Sequence, residues 1–374
     1  MNPAPGVGVS AGPIAFFLPS LCFGGAERVA INLAEGFASR GVPTDLVAVS
    51  AQGEFASQIP DGVRLVDLAA SRVMLSLPAL AGYLRRERPR AVISFMAHAG
   101  IAALLAKRFS GSPARVICTL HTTPAQAASN SSTIRNRFMP ALLRAFFPWA
   151  DELVAVSHGV AQGLSQATGL PLSRIEVIYN PVIMSDLSAL AGQTPDHPWF
   201  AAGQPPVILG VGRLSPAKDF PTLIRAFAEV RRRRDARLII LGEGEGRAEL
   251  TALASAMGVA GDVALPGFRE NALAYMAGAK VFALSSAWEG LPTVLIEALA
   301  VGTRVVSTDC PSGPREILQN GRLGALVPVG DATALANAII DALDQPAGTI
   351  PTDALTEFTM DAAVDHYLRL VKAA

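Results

Sequence analysis

The chain has 374 residues, 51% hydrophobic and 17% charged, with 31 basic and 31 acidic side chains. That length exceeds one ordinary core and suits two domains. The apolar fraction excludes a disordered chain, and the lack of a basic excess argues against a nucleic-acid partner. The neutral sum hides an asymmetry: residues 1–190 carry 15 basic and 11 acidic groups, net +4, and residues 191–374 carry 16 and 20, net −4. Cys22, Cys118 and Cys310 lie far apart. They offer no spacing for a zinc site or a disulfide framework, so a reducing, cytoplasmic compartment is expected. No run approaches the ~20 apolar residues of a membrane span.

In chain order, residues 14–18 are apolar, lack a basic stretch before them and are followed by Pro19. They read as a first core strand and not as a signal peptide. A helix is expected over 26–39. Further strands are expected at 46–49, 64–66, 91–95, 116–120 and 153–157, with helices at 75–87, 99–109, 134–148 and 158–168. Short, wholly apolar strands separated by helices indicate a parallel sheet covered on both faces. Periodicity fails over 181–205, where Pro181, Pro195, Pro198, Pro205 and Pro206 accompany Gly192 and Gly203. Alternation restarts with strands at 207–211, 237–241, 263–265, 281–284 and 304–307, and helices at 220–232 and 247–257. The expected architecture is α/β, with two doubly wound, Rossmann-like domains. One covers 1–180 and the other 206–358. Residues 181–205 form the linker, and 359–374 form a terminal helix that packs back on the first domain. In such sheets ligands lie beyond the carboxyl ends of the strands, so the cleft between the domains is the expected site.

Three constellations carry candidate chemistry. Gly24 and Gly25, with Ala26, Glu27 and Arg28, follow the first strand. Two glycines at a strand-to-helix turn admit close approach of a ligand, and the helix start suits a phosphate. A tight turn without ligand fits the same residues, and the spacing is neither a dinucleotide fingerprint nor a P-loop. The second constellation runs from Gly212 to Asp219, with Arg213 and Lys218 in a loop before a helix that opens near Pro221. A forked cation and a mobile one suit phosphate oxygens; a solvated loop is the alternative. The third spans 285–298. Pro292 marks a helix start, where Thr293 and Val294 present free N–H groups. Glu289 lies in the loop and Glu297 sits one turn into the helix, placed to accept from ribose hydroxyls. The alternatives are a helix-entry carboxylate for Glu289 and a surface charge for Glu297, although Glu297 has apolar neighbours in Leu295, Ile296, Ala298 and Leu299. The basic run at 231–234 reads as a solvated helix terminus, and the glycines of 242–247 read as a turn.

Together these pieces resemble the retaining glycosyltransferases of GT-B fold in the large family 4 of bacterial enzymes (glycosyl transferases group 1). The matching strings are GGAER (24–28), YNPV (179–182), GRLSPAKDFPTLIRAF (212–227), GEG (242–244), LPGF (265–268) and the stretch 285–317. They span nearly the whole chain. Two glutamates with seven residues between them, joined to the Arg…Lys pair, are the most specific part. The resemblance implies that Arg213 and Lys218 hold the donor diphosphate and that Gly24 and Gly25 close on it from the other domain. It implies that Glu297 bonds the ribose and Glu289 the donor sugar. Gly267 and Phe268 would touch the base, Thr293 and Val294 the phosphate or ribose, and Gly212, Gly290 and Leu291 would line the donor. His121, which follows the strand ending at 120, matches a histidine that contacts the donor sugar near the reacting centre. His98 is a weaker candidate of the same kind.

No D-x-D motif is present, and no metal or other cofactor is implied; the two cations and a helix start would serve the departing diphosphate. No carboxylate stands out as a nucleophile; the resemblance implies retention by same-face attack. Segment 134–149 mixes Arg135, Arg137 and Arg144 with Phe138, Leu142, Leu143, Phe146, Phe147 and Trp149. That composition fits an interfacial helix on an anionic membrane or a core-packed helix with a basic outer face, with Pro140 interrupting either. The expected partners are a nucleotide-sugar donor, UDP-linked before GDP-mannose, and a saccharide or lipid-linked saccharide acceptor of the cell envelope or lipopolysaccharide. A nucleotide-sugar epimerase, a dehydrogenase and an inactive carrier scaffold fit the residues less well.

Overall fold

A computed structural model describes residues 12–22, 24–124, 138–184, 186–345 and 351–372. The chain divides into two compact units: Met1–Val156, Ala161–Ile178 and Ala363–Ala374 form the first, and Ser157–Val160 with Tyr179–Ala362 form the second.

The first unit contains strands β1 (Ile14–Leu18), β2 (Thr44–Ala48), β3 (Val63–Asp67), β4 (Ala91–Phe95), β5 (Arg115–Leu120), β6 (Glu152–Ala155) and β7 (Ile175–Val177). They form one seven-stranded sheet in the order β3-β2-β1-β4-β5-β6-β7, with parallel pairing throughout. Every residue of β1, β2 and β4 is buried, as apolar strands covered on both faces must be. Helices α1 (Gly25–Ser39), α2 (Leu77–Glu87) and α3 (Ala97–Ser110) supply that cover. Phe16 packs edge-on to Phe37 at 5.2 Å and stacks with Phe95 at 6.1 Å.

The helix expected over 134–148 begins later, as α4 (Met139–Phe146), and a 3-10 turn follows at Phe147–Trp149; residues 134–137 lie outside the described residues. Pro140 does not interrupt α4. It occupies the first turn, where its missing N–H costs nothing. Met139, Leu143 and Phe147 face inward, while Phe138, Leu142 and Trp149 are exposed. Helix α5 (His158–Thr168) follows β6.

The second unit holds β8 (Val207–Val211), β9 (Arg237–Leu241), β10 (Val263–Gly267), β11 (Val281–Leu284), β12 (Arg304–Thr308) and β13 (Ala325–Val327). Their order is β10-β9-β8-β11-β12-β13, again parallel. The helices are α6 (Leu187–Ala191), α7 (Phe220–Arg231), α8 (Arg247–Ala256), α9 (Ala272–Gly278), α10 (Thr293–Ala300), α11 (Pro314–Ile317) and α12 (Ala332–Asp344). Leu223 and Phe227 of α7 and Leu335 and Ile339 of α12 pack on Ile208, Leu238, Val281 and Val306 of the sheet. The basic run at 231–234 is a helix end whose Arg231 and Arg234 meet Asp262 and Asp344.

Residues 181–205, read as the linker, group with the second unit. Phe200 lies edge-on to Tyr275 at 5.5 Å, the Tyr275 hydroxyl donates to the Asp196 carbonyl at 2.7 Å, and Asn271 Nδ2 donates to the Leu190 carbonyl at 2.9 Å. Prolines remove periodicity but not packing, so composition alone marks such a segment as loose. The last helix, α13 (Met360–Lys372), contributes residues 363–372 to the first unit, where the Tyr367 hydroxyl lies 3.2 Å from Thr119 Oγ1.

A buried polar knot closes one edge of the first unit. Asp45 is 3% exposed and accepts from Arg64 Nε at 2.9 Å and from the Tyr83 hydroxyl at 2.6 Å. Asp45→Ala strands the Tyr83 hydroxyl in the core, and the expected loss is about 3 kcal/mol by denaturant unfolding. Asp45→Asn keeps an acceptor and should recover part of it. Equal losses in the two variants would assign the effect to packing.

Candidate functional site

Strand order in the second unit reverses between β8 and β11. At such a point the loops leaving the two strands diverge and open a crevice beyond their carboxyl ends. The loop after β8 carries Arg213 and Lys218, and the loop after β11 carries Glu289. Lys218 Nζ donates to Glu289 Oε1 at 2.6 Å, and Ser286 Oγ donates to the same oxygen at 2.6 Å. The Lys218 and Glu289 side chains are only 19% and 12% exposed. A charge so shielded is costly unless paired.

The local sequence sets this geometry. Gly212 carries the stem of Lys218 across its face: a Cβ there would stand 2.9 Å from Lys218 Cε. The Lys218 carbonyl accepts from Ser285 Oγ at 2.8 Å, and the Ala287 N–H donates to the Ala217 carbonyl at 2.8 Å, so the two loops are stitched together. Asp219 then caps α7 through Thr222. On the other side, the Glu289 N–H donates to the Pro311 carbonyl at 2.9 Å and its carbonyl accepts from the Ser312 N–H at 2.8 Å. The Gly290 carbonyl accepts from the Ser157 and Ser312 hydroxyls at 2.8 and 2.9 Å. Cys310 is buried beside this loop; burial pushes its thiol up to about 12, with the Glu289 charge adding to the shift.

Leu291 is buried and Pro292 caps α10. Thr293 and Val294 are its first residues, where a helix has no carbonyl of its own to offer their N–H groups. Glu297 is half-buried one turn later. It has no hydrogen-bond or ion-pair partner among the described residues, and burial pushes its carboxyl up to about 7.

Two strands along, Gly267 ends β10 with φ of 89°, and Phe268 beyond it is 57% exposed. Glu243, in the loop after β9, pairs with Arg247 at 2.6 Å, and Arg247 also donates to the Leu265 carbonyl at 2.8 Å. A cavity of about 910 Å3 opens between the loops after β8 and β9, lined among others by Arg213, Pro216, Phe220, Glu243 and Glu245. Arg213 is exposed and has no partner among the described residues.

The other expected residues lie in the first unit. Gly24 is the N-cap of α1 and Gly25 its first residue, and a Cβ on Gly25 would meet nothing within 4 Å. His121 follows β5 and stacks on Phe95 at 5.5 Å. Its Nε2 is buried without a hydrogen-bond partner among the described residues, and burial lowers its pKa to about 4, so the ring is neutral near pH 7. His98 sits in the first turn of α3. Met96, the N-cap of α3, has φ of 77°, a conformation that non-glycine residues adopt only when the surroundings impose it.

The structure therefore brings Gly212, Lys218, Glu289 and Gly290 into one cluster, with Leu291, Thr293, Val294 and Glu297 following it on one loop and helix. Arg213 sits on the same loop as Lys218 and faces the cavity. Gly267 and Phe268 lie by the Glu243–Arg247 pair. Ser157, Ser286 and Ser312 carry no sequence signature, because serine is common and their roles depend on contacts with distant segments. Glu243 had a cue in its position directly after a strand, within the string 242–247.

Residues 196–356 match the family model described as glycosyl transferases group 1, and residues 23–185 match that of glycosyltransferase family 4. The lipopolysaccharide core biosynthesis glycosyltransferase LpsE of Rhizobium meliloti is 30% identical over 93% of this chain and 96% of its own. The N-acetylgalactosamine-N,N'-diacetylbacillosaminyl-diphospho-undecaprenol 4-alpha-N-acetylgalactosaminyltransferase of Campylobacter jejuni is 33% identical over 64% of this chain and 63% of its own length. Among solved structures, HepE of Anabaena in complex with UDP-glucose shares the fold, with a TM-score of 0.80 over 97% of this chain and 100% of that one at 22% identity.

The raised pKa of Glu297 has a defined sign in stability. Between the ordinary carboxyl value of ~4.3 and about 7 the folded chain holds a proton that the unfolded chain releases. The destabilisation therefore grows as pH rises through that window and is complete above it. Glu297→Gln should melt higher than the parent at pH 8, with the difference shrinking toward pH 5. A difference independent of pH, followed by calorimetry, would contradict the burial.

Proposed function

The chain belongs to the group 1, family 4 glycosyltransferases, and from that membership we propose that it moves a hexose or N-acetylhexosamine from a UDP-sugar to a saccharide or lipid-linked saccharide of the cell envelope. The observation that carries this reading is the Lys218–Glu289 pair at the switch point of the second sheet. It sets a cation for a diphosphate beside a carboxylate for sugar hydroxyls.

The strand order supports an axis for the donor. The loops after β10, β9, β8 and β11 stand in a row, each step ~4.8 Å. The row runs from the exposed Phe268 ring, past Glu243 and Arg247, to Arg213 and Lys218, and ends at Glu289. Base, diphosphate and sugar follow that order. Arg213 and Lys218 neutralise the departing diphosphate together with the N–H groups of Thr293 and Val294. Glu297, ionised above about pH 7, accepts from the ribose hydroxyls.

From the family membership we read the reaction as retaining, and with no carboxylate of this site assigned as a nucleophile, by attack on the face the leaving group departs from. The bond from the anomeric carbon to the phosphate oxygen breaks. The acceptor oxygen forms the new bond, and its proton passes to the departing diphosphate. His121 is read as a neutral hydrogen-bonding group toward the donor sugar. The cations supply the field for departure, so transfer is expected to persist in the presence of a chelator.

The relatives' names support an envelope acceptor: one acts in lipopolysaccharide core biosynthesis and another on a diphospho-undecaprenol saccharide. No helix among the described residues is long and apolar enough to cross a membrane. Peripheral contact at the cytoplasmic face of an anionic membrane is read from Phe138, Leu142 and Trp149, which are 61%, 37% and 52% exposed beside Arg144. Phe138→Ser with Trp149→Ser should abolish flotation with anionic vesicles at low salt. Unchanged flotation would remove this surface from the reading.

The direct test is a hydrolysis and transfer screen of the purified protein across nucleotide-sugars. Turnover is expected with UDP-sugars, and the product anomer read by NMR should match the donor. GDP-mannose turnover alone would change the donor. An epimerised nucleotide-sugar would replace the reaction, and tight binding without turnover would indicate a carrier. Lys218→Ala should lower kcat by about 10²–10³ with the fold intact by circular dichroism.

A further inference from the structure

In the first unit, Arg28 differs from the arginines whose charge a carboxylate neutralises. Arg64 and Arg115 meet the carboxylates of Asp45, Glu87 and Glu152. Among the described residues, the Arg28 guanidinium meets only neutral groups. It lies over the Phe55 ring at 4.3 Å, and its Nη1 donates to Gln58 Oε1 at 3.1 Å. Burial alone lowers its pKa, with no carboxylate acting on it.

The surrounding backbone is built to hold this arrangement. The loop after β2 folds onto the loop after β1: the Phe55 N–H donates to the Leu21 carbonyl at 2.9 Å, and the Leu21 N–H to the Gln52 carbonyl at 3.3 Å. Gly53 permits the contact, with φ of 136° and the Leu21 backbone 2.3 Å from where a Cβ would sit. Phe55 and Gln58 are thereby delivered to one side of α1, and Arg28 occupies its first turn. The place lies beyond the carboxyl ends of β1 and β2, beside a helix N-terminus whose field also favours an anion. A guanidinium oriented by a ring and an amide, with its charge unneutralised, is preorganised for a planar or tetrahedral oxyanion.

We propose that Arg28, held by Phe55 and Gln58, binds a phosphoryl group of the acceptor. This assignment rests on the transferase reading of the chain and adds the acceptor's chemical class: a phosphate or diphosphate attached to lipid or to sugar. The shared chemistry is the phosphoryl oxygen set, and the two carriers are separated by experiment.

The test is isothermal titration of the full chain saturated with UDP, so that the Arg213–Lys218 loop is already occupied. The probes are farnesyl diphosphate, inorganic pyrophosphate and glucose 1-phosphate, with farnesol as the uncharged control. The parent should bind the phosphorylated probes and not farnesol. Arg28→Gln should weaken that binding by about tenfold to a hundredfold and leave UDP affinity within twofold. Phe55→Leu keeps the charge but loosens its orientation, and a severalfold loss is expected. Farnesyl diphosphate binding tighter than pyrophosphate would mark a lipid-linked acceptor, and glucose 1-phosphate binding tightest would mark a phosphorylated saccharide. The proposal is overturned if parent and Arg28→Gln bind the probes alike, if no phosphorylated probe binds, or if Arg28→Gln loses UDP in parallel. Failure of the parent to bind UDP would sink the transferase reading instead, and the difference between parent and Arg28→Gln toward the probes would still decide the role of Arg28.

Discussion

The Lys218–Glu289 ion pair is the constraint on which the site in the second unit depends. Its partners are 71 residues apart in sequence and 2.6 Å apart in space. Neither charge is well solvated, so each requires the other in the free protein, and the loops that carry them are drawn to a common position. The backbone follows: Ser285 holds the Lys218 carbonyl, and the 311–312 segment holds Glu289 on both sides. In the proposed function, a phosphate at Lys218 would offer the ammonium a second anion and leave Glu289 available to hydroxyl donors.

Around that pair, charge is distributed by strand order and not by overall sign. The second half of the chain is net acidic, yet the loop nearest the switch point presents two cations. Acidic groups lie to either side, Glu243 and Glu245 on the β9 loop and Glu289 and Glu297 after β11. Such a row suits a ligand with a polyanionic middle and hydroxyl-rich flanks. The first unit uses neutrality in the same economical way. His121 is kept uncharged by burial against Phe95, while Arg28 keeps its charge among neutral neighbours.

Several of these features were legible in the sequence. The alternation of apolar strands with periodic helices revealed two parallel sheets, because burial on both faces demands such strands. Arg213, Lys218 and Glu289 stood out because they lie in loops that follow strands, and Glu297 because it sits one turn into the helix beyond such a loop. The short strands β7 (Ile175–Val177) and β13 (Ala325–Val327) were missed, since three residues carry no period. Segment 181–205 looked loose because proline suppresses helical spacing, yet Phe200 and Asp196 are anchored by Tyr275. Pro140 looked disruptive and proved to open a helix.

By itself, the sequence determined which side chains exist at the ends of which strands, and hence the class of fold and the family. That information is local: hydrophobic period, turn residues and motif spacing are written within a few residues of one another. Only the tertiary structure decided that Lys218 meets Glu289, that Glu297 has no partner among the described residues and is desolvated toward neutrality, and that Arg28 finds a ring and an amide. Pairing and desolvation are set by what distant segments bring into contact, and strand order, which no single segment encodes, chooses those segments.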